Sequence, residues 1–284
     1  MAKTNWSEPL VLELIAERES PDPRAAIEGY ANELLEAAEQ RTLPIDVDLI
    51  ASVKGIRARR GPFDFAGRIY AEDDGQLVMD LKASDTVARQ RFTAAHELMH
   101  TAFPCFKEEQ RYRLDATTER KPVNQEEEYL CDLGAAALLM PADLVGSYSI
   151  AKNGLTAIKQ LAQVADVSLE AAGNRLAELA EEPTAFMVFE FGHKPAERPA
   201  LRRGERVRKR ARLRYAHCSH LDAYLPRFKG ANEKSPILRA FRTNKRERGV
   251  EALPGSKDST PFAIEAKAFG SDERRRVLAV ATLP

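Results

Sequence analysis

The stretch FTAAHELMH, residues 92–100, limits what this chain can fold into more than any other part of it. On an α-helix, residues four apart share a face, so His96 and His100 project side by side and can both offer imidazole nitrogen to one cation. Glu97 falls one residue round, beside such a cation rather than beneath it. That offset suits a general base, which must reach an activated water without being used up as a ligand. A catalytic zinc also needs a third protein ligand and an open fourth position, so a second element has to pack against this helix. The acidic start of EEEYLCDLGAAALLMP (126–141) is the candidate. Glu128 has Asp132 one turn on along the same face, and metal-bound histidines commonly donate their outer N–H to a carboxylate. Glu128 is therefore the expected third ligand, and Asp132 the group that orients His96 or His100. Glu126 and Glu127 compete for the role, but Leu130 and Cys131 stand four residues after them.

Composition narrows the setting. With 284 residues, 44% of them hydrophobic, the chain can bury a core without staples, and its length suggests about two domains. The three cysteines, Cys105, Cys131 and Cys218, are odd in number and without paired spacing, which argues against a disulfide framework and for a reducing, cytoplasmic setting. There is no apolar run of about 18 residues to span a bilayer. The opening MAKTNWSEPLVLELIAERE is too short in its apolar part and too acid-flanked for an export signal. Neither membrane nor export is expected. The formal charge is balanced, 43 Lys and Arg against 43 Asp and Glu, yet between Lys194 and Val250 there are 18 basic residues and 5 acidic ones. A cluster such as RRGERVRKRARLR (202–214) is what an anionic partner would meet, and phosphate backbones are the commonest such partner.

Periodicity predicts a helix from Asp22-Pro23 to about Gln40 and a shorter one from Asp46 to Val53, stopped by Gly55. GRIYAEDDGQLVMDL (67–81) reads as a hairpin about an Asp-Gly turn. Ser84, Asp85 and Thr86 offer caps for the histidine helix, whose apolar stripe is Phe92, Ala95, Met99 and Ala102 and which Pro104 ends. LTAIKQLAQVADVSLEAAGNRLAEL (155–179) has the form of a helix-turn-helix. Its second helix displays Glu170, Asn174, Arg175, Glu178 and Glu181, an acidic balance that phosphates would repel, so a supporting role is expected. From Phe186 onward β-like runs dominate: 187–191, 261–269 and 276–283.

RQRFTAAHELMHTAF (89–103), Glu128 and CDLGAAALLMPADL (131–144) resemble the ImmA/IrrE metallopeptidases, and the likeness extends to ADVSLEAAGNRLAEL (165–179) and RRRVLAVATLP (274–284). The resemblance implies an α+β chain in three parts: a zincin-like metallopeptidase domain over 1–150, a helix-turn-helix-like segment packed on it over 151–183, and a GAF-like α+β sensor domain over 184–284. It implies metal ligation by His96, His100 and Glu128, with Glu97 as base. It further implies an endopeptidase that cleaves a helix-turn-helix transcriptional repressor and so releases a stress, DNA-damage or phage-defence operon. Zinc is the expected ion, with manganese and iron as alternatives. For the oxyanion donor, Tyr112, Tyr129, His217 and His220 qualify by type. A substrate peptide is expected to add as a strand to the exposed edge of the 67–81 hairpin.

Cys105, five residues past His100, is a candidate fourth ligand that would hold the site inhibited at rest. Single-stranded DNA is the expected activator, bound by Arg202, Arg203, Arg206, Arg208, Lys209, Arg210, Arg212 and Arg214, with Tyr215, Tyr224 and Phe228 to stack bases. The rival reading is a non-proteolytic, nucleic-acid-binding transcription regulator with a structural metal. Glu97 counts against it, because a structural site has no use for a base.

Overall fold

The computed structural model describes residues 6–104, 111–113, 124–221, 224–255, 260–270 and 275–284, with backbone alone at 111–113. The chain divides into two compact units, Met1–Val145 with Ala162–Ser168, and Gly146–Leu161 with Leu169–Pro284.

The first unit opens with α1 (Pro9–Glu17), α2 (Pro23–Ala37) and α3 (Val47–Val53). Asp22 and Asp46 cap the latter two by accepting from the amides of Arg24 and Leu49. Three strands follow, β1 (Ile56–Gly61), β2 (Gly67–Ala71) and β3 (Leu77–Lys82), and then α4 (Val87–His100), the strand β4 (Arg111–Arg113), α5 (Gln125–Leu139) and α6 (Ala142–Val145). The sheet order is β1-β3-β2-β4, with β1 parallel to β3 and the other pairs antiparallel. The hairpin of β2 and β3 forms at the expected place, but its edges are not open. β1 pairs with β3 along its whole length, and β4 covers Gly67, Ile69 and the residue between them. Sequence reading misses β1 because IRARRG has no apolar alternation. Only Ile56 is buried, and the strand is tied down by Arg59 on Asp80 and Arg60 on Asp48.

α4 is the centre of this unit. A stripe is expected of it, yet all eight residues from Thr93 to His100 are buried, as in a helix covered on every side. It packs on β2, β3, α2, α3 and α5. Two glycines allow the close approach. A Cβ on Gly67 would lie 2.4 Å from Thr93 Cγ2 and 3.0 Å from Glu97 Oε1, and one on Gly134 would lie 2.5 Å from Met99 Sδ and 2.8 Å from Ile27 Cγ1. The helix stops at His100, four residues before Pro104. There the Thr101 hydroxyl donates back to the Leu98 carbonyl at 2.6 Å and meets the Tyr30 hydroxyl at 2.5 Å.

The second unit contains α7 (Ile150–Asn153), most of α8 (Leu155–Val164), α9 (Leu169–Glu178), β5 (Thr184–Gly192), α10 (Arg198–Arg202), β6 (Arg210–Ser219), α11 (Pro236–Thr243), β7 (Glu247–Ala252), β8 (Pro261–Phe269) and β9 (Arg276–Thr282). Its five strands form one antiparallel sheet in the order β6-β5-β9-β8-β7. Alternation along β5 sends Ala185, Met187 and Phe189 into a core with Ile237, Ala240 and Phe241 of α11. Phe186, on the opposite face, lies against Gly173 of α9, where an added Cβ would come within 2.4 Å of the ring. The sheet is thus covered on both faces.

The helical part expected at 151–183 is divided between the two units. The second helix of the helix-turn-helix, α9, packs on β5 and β6. Glu170 accepts from the Tyr215 hydroxyl at 2.9 Å and pairs with Arg276, and Arg175 is buried beside Glu178. Only the turn, Ala162–Ser168, belongs to the first unit, where Arg91 of α4 donates to the carbonyls of Ala165 and Asp166, both at 3.2 Å. The reason is packing: the face with Ala172, Gly173, Leu176 and Ala177 is the apolar one, and it is buried. The polar residues read as a display surface are in part structural.

Candidate metal centre

α4 and α5 pack face to face and build the site from six side chains. His96 and His100 are 1% and 2% exposed, with ring centroids 5.0 Å apart. Their outer nitrogens are committed. His96 Nδ1 donates to Asp132 Oδ1 at 3.0 Å, and His100 Nδ1 donates to Glu127 Oε1 at 2.8 Å. A neutral imidazole that donates through Nδ1 presents a lone pair at Nε2. Those two Nε2 atoms converge on one carboxylate: His96 Nε2 is 3.4 Å from Glu128 Oε2 and His100 Nε2 is 3.6 Å from Glu128 Oε1. Lone pairs facing carboxylate oxygens repel unless a positive charge lies between them. Tetrahedral ligation at about 2.0–2.1 Å separates neighbouring donors by roughly 3.4 Å, so each histidine–carboxylate spacing is close to that of two donors on one divalent ion.

Where no ion is bound, burial by itself would raise the Glu128 carboxyl's pKa, but imidazolium forms of the two rings, through the hydrogen bond and charge of His96 and the charge of His100, outweigh it and hold the group below its ordinary value; an ion between them would supply the positive charge instead. Glu97 is wholly buried, with its carboxylate against the backbone of Gly67. Of the expected site residues, His96, Glu97, His100, Glu128 and Asp132 all meet here, and Asp132 turns out to serve His96.

Glu127 is the residue that sequence reading passed over. It was set aside for lacking an acid four residues later, yet its own role is the one sought for such an acid, on His100. A pairing rule would have found it. His96 and His100 advance four residues along α4 while their partners Asp132 and Glu127 retreat five along α5, as facing antiparallel helices require. Glu127 is fixed in turn, because Asn124 donates to its second oxygen at 2.9 Å and its amide donates to Glu8 at 3.0 Å. Glu126 closes the reciprocal contact by accepting from the amides of Ser7 and Glu8, so the start of α5 and the start of α1 cap one another.

A second ligand set overlaps the first. Potential ligand atoms of His96, His100 and Cys131 all lie within 4.8 Å of one another, in full burial. Cys131 Sγ, however, is 3.4 Å from His100 Nδ1, the nitrogen already bound to Glu127. Burial, reinforced by the charges of Glu127, Glu128, Asp132 and Glu97, pushes the thiol well above its ordinary range where no ion is bound.

Cys105 lies outside the described residues, as does the side chain of Tyr112. Tyr129 follows Glu128 on α5 and is 46% exposed, packing near Trp6 and Arg24. His217 and His220 belong to the second unit.

Residues 52–177 match the family model described as the IrrE N-terminal-like domain. That stretch is thus similar to the N-terminal domain of the ImmA/IrrE family. The Deinococcus deserti protein named radiation response metalloprotease IrrE is 40% identical over 102 residues, which are 35% of this chain and 36% of that protein. The Deinococcus radiodurans protein of the same name is 30% identical over 185 residues, 64% of this chain and 55% of the relative. The match therefore spans about a third and about half of the length of these two relatives. A solved structure, a Mycobacterium tuberculosis transcriptional regulator, superposes with a TM-score of 0.57 at 15% identity, covering 96% of this chain and 80% of that one, which is a likeness of fold. The ImmA/IrrE match takes in both metal-site helices, α4 and α5.

In the second unit the basic residues divide. Arg202, Arg203, Arg206, Arg208, Lys209 and Arg210 are exposed, and Arg203 pairs with Glu205 at 2.7 Å. Arg214 is half-buried on β6. Arg212 leaves the expected set: it is buried and donates to Glu197 at 2.6 Å and to the carbonyls of Gly192 and Phe228. Alternation on β6 turns it to the face opposite the core residues Ala211 and Leu213, where these three acceptors cover it. Tyr215 is also committed, to Glu170, while Tyr224 is 82% exposed. Among the described residues no single helix is long and apolar enough to cross a membrane.

Proposed function

We propose that the chain is a metal-dependent endopeptidase whose substrate is a helix-turn-helix transcriptional repressor. The observation that carries the reading is the pair of imidazoles whose inner nitrogens meet Glu128 while Asp132 and Glu127 hold the outer ones. His96, His100 and Glu128 would hold the ion, and the nitrogen-rich donor set favours zinc, with manganese or iron as alternatives. When bound, the ion supplies Lewis acidity toward water and toward the scissile carbonyl.

The remaining work falls to the chain. Asp132 and Glu127 fix the tautomer and tilt of each ring, so both lone pairs face inward before any substrate arrives. Glu97 takes the proton from the attacking water and passes it to the leaving amine. Its complete burial between α4 and β2 keeps the carboxylate in place and keeps bulk water from competing for the proton. The second unit is read as a GAF-like sensor on the strength of its helix-covered antiparallel sheet, and its exposed arginines support single-stranded DNA as an activator.

Incubation with the helix-turn-helix repressor encoded beside this chain, with and without single-stranded DNA, tests the reading. Defined fragments from the wild type and none from Glu97→Gln at equal metal content support it. Equal cutting by both would remove Glu97 as the base. No cutting under any condition favours the alternative, a nucleic-acid-binding regulator with a structural metal, for which Cys131 beside both histidines is the supporting observation. Labelled single strands titrated at several salt concentrations test the activator separately, and no binding at low salt removes it.

A further inference from the structure

The second unit contains a cavity of about 720 Å³ bounded by the end of β5, the start of β6, α11 and the residue before β9. That volume lies within the range of roughly 300–1,000 Å³ typical of small-molecule sites. Its apolar wall is made by Phe191, Leu238 and Phe241. Phe191 stands on the same face of β5 as the buried core residues Met187 and Phe189, yet it is 50% exposed. Its ring lies 5.9 Å from that of Phe241 at 53°, an inclined pair on the cavity wall.

The charged wall is almost entirely of one sign. Among the described residues Lys209, Arg210, Arg242 and Arg275 line it alongside Arg208, and the one lining carboxylate, Glu233, stands 3.7 Å from Arg208. Among the described residues none of those four cations has an ion-pair partner, and Arg275 Nε is buried without a hydrogen-bond acceptor. A buried guanidinium N–H left in that state has lost its hydration without replacement, a loss that an anionic acceptor would recover.

We propose that this cavity binds a small aromatic anion, with the flat body of the ligand stacked on Phe191 and its carboxylate, sulfonate or phosphate taken by Arg242 and Arg275. An aromatic body is preferred to an aliphatic chain because the wall offers ring faces, which gain from stacking beyond the area they bury. The anion is required by the charge of the rim. The pocket does not depend on the protease reading, and its test needs no proteolysis.

The probe is 8-anilinonaphthalene-1-sulfonate, titrated into the full chain and followed by fluorescence. The expected result is saturable binding at one site per chain, displaced by 1-naphthoate or by adenosine monophosphate. Which of the two displaces it tells an aromatic carboxylate from a nucleotide as the source of the same chemistry. Arg242→Glu and Arg275→Glu should each weaken the probe about tenfold, and Phe191→Ala should do so to a similar extent. Arg242→Lys should stay within about threefold, with melting temperatures unchanged across the exposed variants. Non-saturating fluorescence, or affinities within twofold of wild type in all three weakening variants, overturns the proposal. Displacement by oligothymidylate alone overturns it too, because the cations would then serve a polymer and not a pocket.

Discussion

In the first unit His96, His100, Glu127 and Asp80 are buried, and each is held by a polar or charged neighbour a few ångströms away. In the second unit Arg202, Arg206, Lys209, Arg210 and Arg242 are exposed, and none has an ion-pair partner among the described residues. Both regions are rich in ionisable side chains, but in opposite states of pairing. Burial forces a charged group to find a partner, because its lost hydration must be replaced. An exposed cation keeps its water and stays available to a ligand from outside. Arg212, inside the basic stretch yet paired with Glu197, marks the boundary between the two behaviours.

The sharpest way to break this contrast is at the metal site. Glu128→Ala should lower zinc affinity more than about 100-fold, whereas Cys131→Ala should change it less than about threefold, as read by competition with a chromophoric chelator. The reverse order would make Cys131 the ligand and Glu128 a bystander. Next in size, Glu127→Ala should cost roughly 10–100-fold in the same assay by leaving His100 without its orienting acceptor. Asn124→Ala, one contact further out, should cost less.

Packing at the site helices gives a stability test. Gly134→Val has nowhere to place its side chain against Met99 and Ile27 and should destabilise by about 1–3 kcal/mol in urea unfolding. Gly29, also helical but with nothing within 4 Å of an added Cβ, should accept alanine with a gain of about 0.5–1 kcal/mol.

Asp80 offers a pH test. Burial would raise its carboxyl, but hydrogen bonds and charge from Arg59 and Arg68 leave it below its ordinary value. A depressed folded-state pKa means that the stabilisation is fully present above the ordinary carboxylate range and is lost as pH falls through the lower folded value. Asp80→Asn should therefore cost about 1–2 kcal/mol at neutral pH, screened because Arg59 is 41% exposed, and should flatten the acid limb of the stability curve. The smallest effects belong to the basic stretch. Arg206→Ala should leave the melting temperature unchanged within about 1 °C, while Arg212→Ala should lower it by roughly 3–6 °C.

Much of the first unit was legible because its information is local. The caps Asp22, Asp46 and Thr86, the Asp-Gly turn and the fourfold spacing of His96 and His100 each act within one or two turns of chain, and each appears where expected. Glu128 and Asp132 were legible for the same reason, since they share one helix face. β1 and Glu127 were not. IRARRG becomes a strand only because β3 supplies its hydrogen bonds, and Glu127 meets His100 only because α5 runs antiparallel to α4 at close range. The placement of the helix-turn-helix likewise depended on which surface its apolar face could cover.

By itself, then, the sequence determined that two imidazoles and a glutamate share one helix and that a second helix carries acids at the matching period, since covalent spacing and helical geometry suffice for both. Tertiary structure alone decided which acid serves which ring, which arginine is buried and which remain open. Those outcomes turn on the few ångströms separating groups that lie far apart along the chain, and on whether water reaches them once the core has closed.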